Sequence, residues 1–367
     1  MKINFVNLKK QYESIKDELD MAMRDTINNT SFILGNEVEE FEKEFAKFCN
    51  AKCCVAVASG TDALKLAIKA LGIKEGEIIT VAHTFIATAL AITDNNLKPV
   101  FVDIDSKTYN IDVDQIERKI TKNTKAIIVV HLYGQPANME RIAEIAKKYN
   151  LELIEDCCQA HGAEYKRKRL PYGDIGCFSF YPGKNLGAYG DGGAIVTNNE
   201  VLAKKLKAMR NYGSQVKYYH DFIGFNSRLD SLQAQVLKVK LKCLDNWNNK
   251  RIEHAKLYDR LLNGIVEIPK IDKNVKSVYH LYVIRCKSRD ELQKYLADNG
   301  ISTVIHYPIP IHLQKAYADL NYKNGDLPVT EEVTKNILSL PMYAELTDEE
   351  IKYTCEKIKE FHNKHGN

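Results

Sequence analysis

The chain has 367 residues, with 52 Lys plus Arg against 48 Asp plus Glu, a formal charge of +4. An apolar fraction of 45% and a charged fraction of 27% exclude a disordered or low-complexity polymer, because enough apolar surface is present to offset chain entropy. The charge is too slight to point to nucleic acid, and no apolar run reaches the 18 or so residues of a membrane span, so neither partner is expected.

The opening stretch, MKINFVNLKKQYESIKDEL, has no apolar signal core and no small-residue cleavage site, so a cytoplasmic location is expected. A helical pattern at 12–26 precedes the first strand. Apolar runs at 54–58, 78–81, 99–102, 126–130 and 151–154 then alternate with amphipathic helical patterns at 61–71, 84–94, 112–120 and 138–149. Near-continuous apolar strands between such helices predict a mainly parallel sheet covered on both faces. Beyond Asp156 the pattern turns β-rich at 163–165, 175–180 and 193–197, followed by a helix at 201–209 and a polar aromatic loop at 211–226.

A long helix is predicted from Leu229 towards Leu262. After it come a strand near 280–285, a helix at 289–299 and a terminal helix from Asp348. The expected organisation is a large α/β domain over 1–240 and a smaller α+β domain over 241–367, joined through a helix rather than a Pro/Gly linker. The N-terminal helix is expected to pack with the smaller domain. The nine cysteines are odd in number, two pairs are adjacent (Cys53–Cys54, Cys157–Cys158), and no C-x-x-C occurs. They read as small buried hydrophobes in a reducing compartment.

In open α/β sheets, ligands bind at the carboxyl ends of the strands. The first strand runs into Ser59-Gly60-Thr61-Asp62-Ala63-Leu64. Small residues at a helix start let backbone N–H groups approach an anion, and the Thr61 hydroxyl adds a donor; a plain N-cap is the simpler alternative. The strand at 151–154 leads to Asp156, with Gln159 and His161 after it. A carboxylate there suits a metal, a general base or a cationic heterocycle.

Segment 179–193 carries one lysine, Lys184, in a glycine-rich and largely uncharged loop. A P-loop would need Gly at 178 and Ser or Thr at 185; Phe178 and Asn185 stand there. A desolvated loop lysine instead becomes a neutral amine able to condense with an aldehyde. Phosphate cradle, strand-end carboxylate and loop lysine, in that order, are what pyridoxal 5'-phosphate needs.

With these motifs in view, the chain resembles the DegT/StrS family of pyridoxal-phosphate-dependent nucleotide-sugar aminotransferases over essentially its whole length. The resemblance extends through Gly35-Asn36-Glu37-Val38, Glu155-Asp156-Cys157-Cys158-Gln159-Ala160-His161-Gly162, Gly224-Phe225-Asn226-Ser227-Arg228-Leu229-Asp230 and His306-Tyr307-Pro308. It implies an aspartate-aminotransferase-like α/β fold (fold type I) with a smaller α+β C-terminal domain. It further implies Lys184 as the catalytic lysine, Asp156 as partner of the pyridinium nitrogen and Gln159 of the ring hydroxyl. Phe85 would stack on the ring, and Gly60, Thr61 and Ser179 would hold the phosphate. Asn226 would reach a neighbouring subunit's phosphate, which implies a homodimer with shared sites. Cys157 and Cys158 depart from the family's usual small residues.

The resemblance also implies glutamate as amino donor and a nucleotide-linked keto-6-deoxyhexose as acceptor. Segment 182–193 looks more like members that aminate C3, for which a dTDP-linked 3-keto sugar is expected. C4-specific relatives more often carry Thr-Thr-Gly-Glu-Gly-Gly after the lysine. Tyr181, Lys217, His306 and Tyr307 are the expected sugar-side residues.

Two rival readings have their own residues. Asp103-Ile104-Asp105 supplies a D-x-D pair that a metal-dependent glycosyltransferase would use, though Asp105 also suits a turn cap. Lys166-Arg167-Lys168-Arg169 offers a basic run to a non-catalytic regulator of the same fold. It sits where a solvated hairpin turn is expected, with no nucleic-acid-binding pattern beside it.

Overall fold

A computed structural model of the chain describes residues 1–365. Its centre is a seven-stranded sheet in the spatial order Cys53–Val57, Gly193–Thr197, Ile175–Ser179, Glu152–Asp156, Thr124–Val130, Glu77–Val81, Lys98–Val102. Six strands are parallel, and Gly193–Thr197 alone runs against both its neighbours. The strands are buried almost end to end, as expected of a sheet with helices on both faces.

On one face, the helix Gly60–Ala70 presents Leu64, Ala67 and Ile68 to Val55, Ile78, Ile128 and Ile195. On the other, the helix Asn36–Phe48 sets Phe45 edge-on to Phe178 and Phe180, at centroid distances of 5.0 and 5.3 Å. That helix was not anticipated. Its apolar positions Val38, Phe41 and Phe45 follow helical spacing, but five acidic residues interrupt them.

The 32-residue helix Ser231–Leu262 crosses the expected boundary at 240. Ala234, Leu237, Leu241 and Leu244 belong to the core under the large sheet. Ala255, Tyr258 and Leu262 belong to a second core, built on the antiparallel pair Tyr282–Arg285 and Ile337–Leu340 with the helices Arg289–Asp298 and Asp348–His365. The N-terminal segment joins this second core: Ile3 bridges Ile301, and its N–H donates to the Gly300 carbonyl at 2.8 Å. The helical stretch expected at 12–26 is two helices, Leu8–Ser14 and Lys16–Asn28, broken at Ile15. The second packs Leu19 on Val236 and Val239 of the long helix.

The expected loop at 211–226 contains a small hairpin, Ser214–Val216 with Tyr219–His220. The basic run forms the turn between Glu164–Tyr165 and Lys168–Arg169. Arg169 is not simply solvated there: it donates to both Asp245 carboxylate oxygens at 2.8 Å and lies over the Phe48 ring. Asp103 and Asp105 both act as caps. Asp103 accepts from Val329 N, Thr330 N and Thr330 Oγ1 at 2.9, 2.8 and 2.7 Å, while Asp105 accepts from Lys107 N and Thr108 N. With both Asp103 oxygens and Asp105 Oδ1 accepting N–H or O–H groups, the pair is built as two turn and helix caps rather than as a ligand set. No helix among the described residues is long and apolar enough to cross a membrane.

Candidate active site

The parallel strands Cys53–Val57, Glu152–Asp156 and Ile175–Ser179 end on the same edge of the sheet. Their carboxyl ends deliver Ser59, Asp156 and Ser179 to a cavity of about 600 Å³. Every residue expected at the site lines this cavity except Lys217 and Asn226. Lys217 is exposed near the tip of the Ser214–His220 hairpin, with its amine over the Tyr218 ring. Asn226 is exposed beside Asn211, with which it forms an isolated bridge.

Ser59 caps the helix Gly60–Ala70 by accepting from Asp62 N at 3.1 Å. The simple capping role is therefore real, but it leaves Gly60 and Thr61 at the helix start facing the cavity. A Cβ on Gly60 would stand 2.5 Å from the Ser179 Cβ and 3.0 Å from Cys158 Sγ. Only glycine lets the helix start lie against the strand end, and this close approach gathers N–H groups and hydroxyls into an anion cradle.

Asp156 is 6% exposed. Its Oδ2 accepts from Thr88 Oγ1 at 2.8 Å and its Oδ1 from Cys158 N at 3.1 Å. Two donors hold the carboxylate in place and leave lone pairs on both oxygens for a cationic partner. Thr88 in turn meets Thr84 Oγ1 at 3.1 Å.

Gln159 accepts from Tyr133 N at 2.8 Å through Oε1, so its amide nitrogen is the end that faces the cavity, 3.3 Å from the Tyr307 hydroxyl. A donor aimed there suits a ring oxygen carrying negative charge. Tyr133 also donates to the His306 carbonyl. Its single hydroxyl proton being committed, His83 Nε2, 2.9 Å away, must be the donor to Tyr133. Burial pushes His83 down to about 4, which keeps the ring neutral.

Lys184 lies in the turn after Ile175–Ser179, its N–H bonded to the Tyr181 carbonyl at 2.9 Å. Among the described residues its amine has no hydrogen bond or ion pair. Desolvation lowers its pKa, opposed by the nearby Cys158 and Asp156. Phe85 leaves 53% of its surface open while its ring sits 5.8 Å from that of Tyr307, an aromatic wall awaiting a flat partner.

These features fit pyridoxal phosphate part by part. The glycine-dependent cradle suits the phosphate, the doubly held Asp156 the pyridinium nitrogen, and the Gln159 amide the ring oxygen. The unpaired, desolvated Lys184 amine suits the aldehyde.

On the sugar side, Tyr181 is 60% exposed at the cavity mouth. His306 bonds Ser339 Oγ at 2.9 Å through Nδ1, stacks on Phe5, and is pushed down to about 4 by burial and then by Lys184. Thr88, His280, Phe5, Val6, Leu281 and Met342 also line the cavity and were not anticipated. For Thr88 the available signal was the i, i+4 pair with Thr84 around Phe85. For the others, tertiary packing alone brings them in.

Comparisons with known proteins identify the family of the chain. The DegT/DnrJ/EryC1/StrS aminotransferase family profile matches residues 13–359. The chain is 47% identical over 362 residues (98% of this chain, 99% of the relative) to the dTDP-3-amino-3,6-dideoxy-alpha-D-galactopyranose transaminase of Aneurinibacillus thermoaerophilus. It is 46% identical over 368 residues (99% of each) to a Geobacillus stearothermophilus protein called a pleiotropic regulatory protein. The crystal structure of S. venezuelae DesV, solved with a ketimine intermediate, superposes with a TM-score of 0.97 at 41% identity, covering 98% of each chain. The chain belongs to the DegT/DnrJ/EryC1/StrS aminotransferase family, whose cofactor is pyridoxal phosphate.

Proposed function

We propose that this chain moves an amino group, from glutamate, onto C3 of a dTDP-linked 3-keto-6-deoxyhexose in the cytoplasm. The observation that carries the reading is Lys184, an amine held without an ion pair in the same cavity as Asp156. Pyridoxal phosphate supplies an aldehyde that takes up the amino group and a protonated ring that accepts the electron pair left when a proton leaves the substrate carbon.

The chain's own residues do the rest. Asp156, braced by Thr88 and Cys158 N, keeps the ring nitrogen protonated. Gly60, Thr61 and Ser179 bind the phosphate, Gln159 donates to the ring oxygen, and Phe85 covers the ring. Lys184 Nζ takes a proton from the amino-bearing carbon of the donor and later returns one to C3 of the sugar. A base that moves protons near neutral pH must be uncharged part of the time, which desolvation provides.

Tyr181, His306 and Tyr307 would orient the sugar. Lys217 and Asn226, outside this chain's own cavity, would complete a second subunit's site in a two-fold dimer. The C3 position follows the form of segment 182–193 and the 47% identical transaminase. C4 amination is the alternative. The regulator reading has the name of the 46% identical relative in its favour and is separated from catalysis by the same assay.

That assay incubates the protein with cofactor, glutamate and dTDP-linked 3-keto and 4-keto sugars, and locates the new amine by NMR. Nitrogen at C3 is expected. Nitrogen at C4 overturns the regiochemistry, and no amine with any ketosugar overturns the enzymatic reading. Lys184→Ala should abolish turnover and leave no cofactor covalently trapped on the chain by borohydride reduction.

A further inference from the structure

A chain of side-chain amides ends at an imidazole in the cavity wall. Asn248, on the long helix Ser231–Leu262, donates its Nδ2 to the His161 carbonyl at 2.8 Å. A carbonyl only accepts, so Asn248 Oδ1 is the atom turned towards Asn185. Asn185 gives both amide hydrogens away, to Asn248 Oδ1 at 2.9 Å and to the Val278 carbonyl at 3.0 Å. Its Oδ1 is therefore an acceptor, and it lies 3.2 Å from His280 Nδ1. The two backbone carbonyls thus assign both amides, and His280 must carry its proton on Nδ1.

In a neutral imidazole the other nitrogen, Nε2, then holds a lone pair. Burial first, and then the Lys184 and Arg251 charges, push His280 well below the usual histidine range, so the ring stays neutral. Among the described residues Nε2 has no hydrogen-bond partner. His280 lines the same cavity as Lys184, and Asn185, to which it is bonded, is the next residue in the chain.

We propose that His280 is a positioning residue for Lys184: the Asn248–Asn185 relay fixes its Nδ1–H tautomer, so that Nε2 is the acceptor to which the lysine amine turns once a substrate has displaced it from the cofactor, a contact that the unliganded cavity does not hold. The inference rests on the aminotransferase reading above. A neutral amine that commits one hydrogen to His280 has its lone pair aimed elsewhere into the cavity. Once protonated, the ammonium donates to the same nitrogen, so one contact serves both states of the base. A neutral ring of low basicity holds that proton poorly and does not divert it from the sugar.

The test begins with the tautomer, read by NMR of the holoenzyme labelled with ¹⁵N-histidine, with His280 assigned by its loss in His280→Ala. Nδ1–H is expected in the wild type, changing to Nε2–H in Asn185→Ala; Nε2–H in the wild type overturns the proposal. Kinetics supply the second readout. His280→Ala is expected to lower kcat about tenfold or more, with KM for both substrates within about twofold. His280→Gln, which places a carbonyl near the Nε2 position, should recover most of the loss. An unchanged kcat in a folded His280→Ala protein overturns the proposal, as does equal loss in both variants. If His280→Ala does not fold, the wild-type tautomer and His280→Gln decide. Absence of amine transfer by the wild type counts against the function itself, and the tautomer is read independently of it.

Discussion

Gly60 and Ser179 come so close that a Cβ on Gly60 would stand 2.5 Å from the Ser179 Cβ. A helix start and a strand end more than a hundred residues apart are pressed together here, and the close approach on which the proposed phosphate cradle depends exists only because one of the partners has no side chain. Gly60→Ala must therefore push the helix start away from Ser179. The expected outcome is a cofactor dissociation constant raised about tenfold or more, with Tm lowered by only a few degrees. Equilibrium titration of the apoprotein with pyridoxal phosphate, followed by visible absorbance, measures it; unchanged affinity would show that the phosphate sits elsewhere.

Thr88 and Asp156 give a second prediction. Thr88→Val removes the 2.8 Å donor to Oδ2 while keeping the side-chain shape. Asp156 keeps the Cys158 N–H bond but gains freedom to rotate away from the ring nitrogen. Loss of such a supporting bond typically costs about 10–100-fold in function. A fall of this size in kcat is expected, with KM for the ketosugar little changed. Steady-state kinetics with an intact thermal melt would show it, and wild-type kcat would mean that the Cys158 N–H bond suffices.

How much of this was legible in the sequence depends on what each residue answers to. Gly60, Asp156 and Lys184 were legible because their demands are local: a close backbone approach, a strand end, a glycine-rich turn. The alternating strands and helices were legible because burial of both sheet faces writes itself as near-continuous apolar runs. Thr88 and His280 were not, since each matters through a partner 68 or 95 positions away. The helix Asn36–Phe48 was obscured by its five acidic residues, of which Glu37 and Glu42 are buried and so break the apolar pattern of the inner face itself. Lys217 and Asn226 lie outside the cavity of their own chain; the role expected of Asn226 already called for a second subunit, whereas nothing in the sequence separated Lys217 from the other sugar-side residues, because its distance from the cavity is set by where the Ser214–His220 hairpin folds.

Asp103 caps the helix Pro328–Asn336 from outside that helix, accepting from two of its first N–H groups and from Thr330 Oγ1. The Asp103–Ile104–Asp105 pair should accordingly matter for stability and not for metal. Asp103→Ala leaves four buried or half-buried donors, Val329 N, Thr330 N, Thr330 Oγ1 and Ile104 N, without their carboxylate partner, and a loss of about 2–4 kcal/mol is expected from denaturant unfolding. Turnover of the wild type should be the same with and without EDTA. Chelator-sensitive activity would return the D-x-D pair to the list of ligands.

Lys240 ties the lysine-bearing loop to the long helix. It is wholly buried, donates to the Gly187 carbonyl at 2.7 Å, and lies 4.2 Å from the centre of the Tyr189 ring. Burial lowers its pKa to about 8, and Glu345 opposes that. The unfolded chain holds the proton up to its ordinary value of 10.5, so between about pH 8 and 10.5 the unfolded state binds more protons than the folded one. Stability from this group therefore rises with pH across that window and is flat below it. At about 1.4 kcal/mol for each unit of separation, the rise amounts to roughly 3 kcal/mol. Lys240→Met removes the titration along with the bond to Gly187. The difference in unfolding free energy between wild type and variant, followed by denaturant titration from pH 7 to 10.5, should widen in favour of the wild type above pH 8. A difference that stays constant would mean that the Tyr189 ring and the Gly187 carbonyl hold the ammonium as well as water does. In that case the loop is clamped by a charge that never leaves.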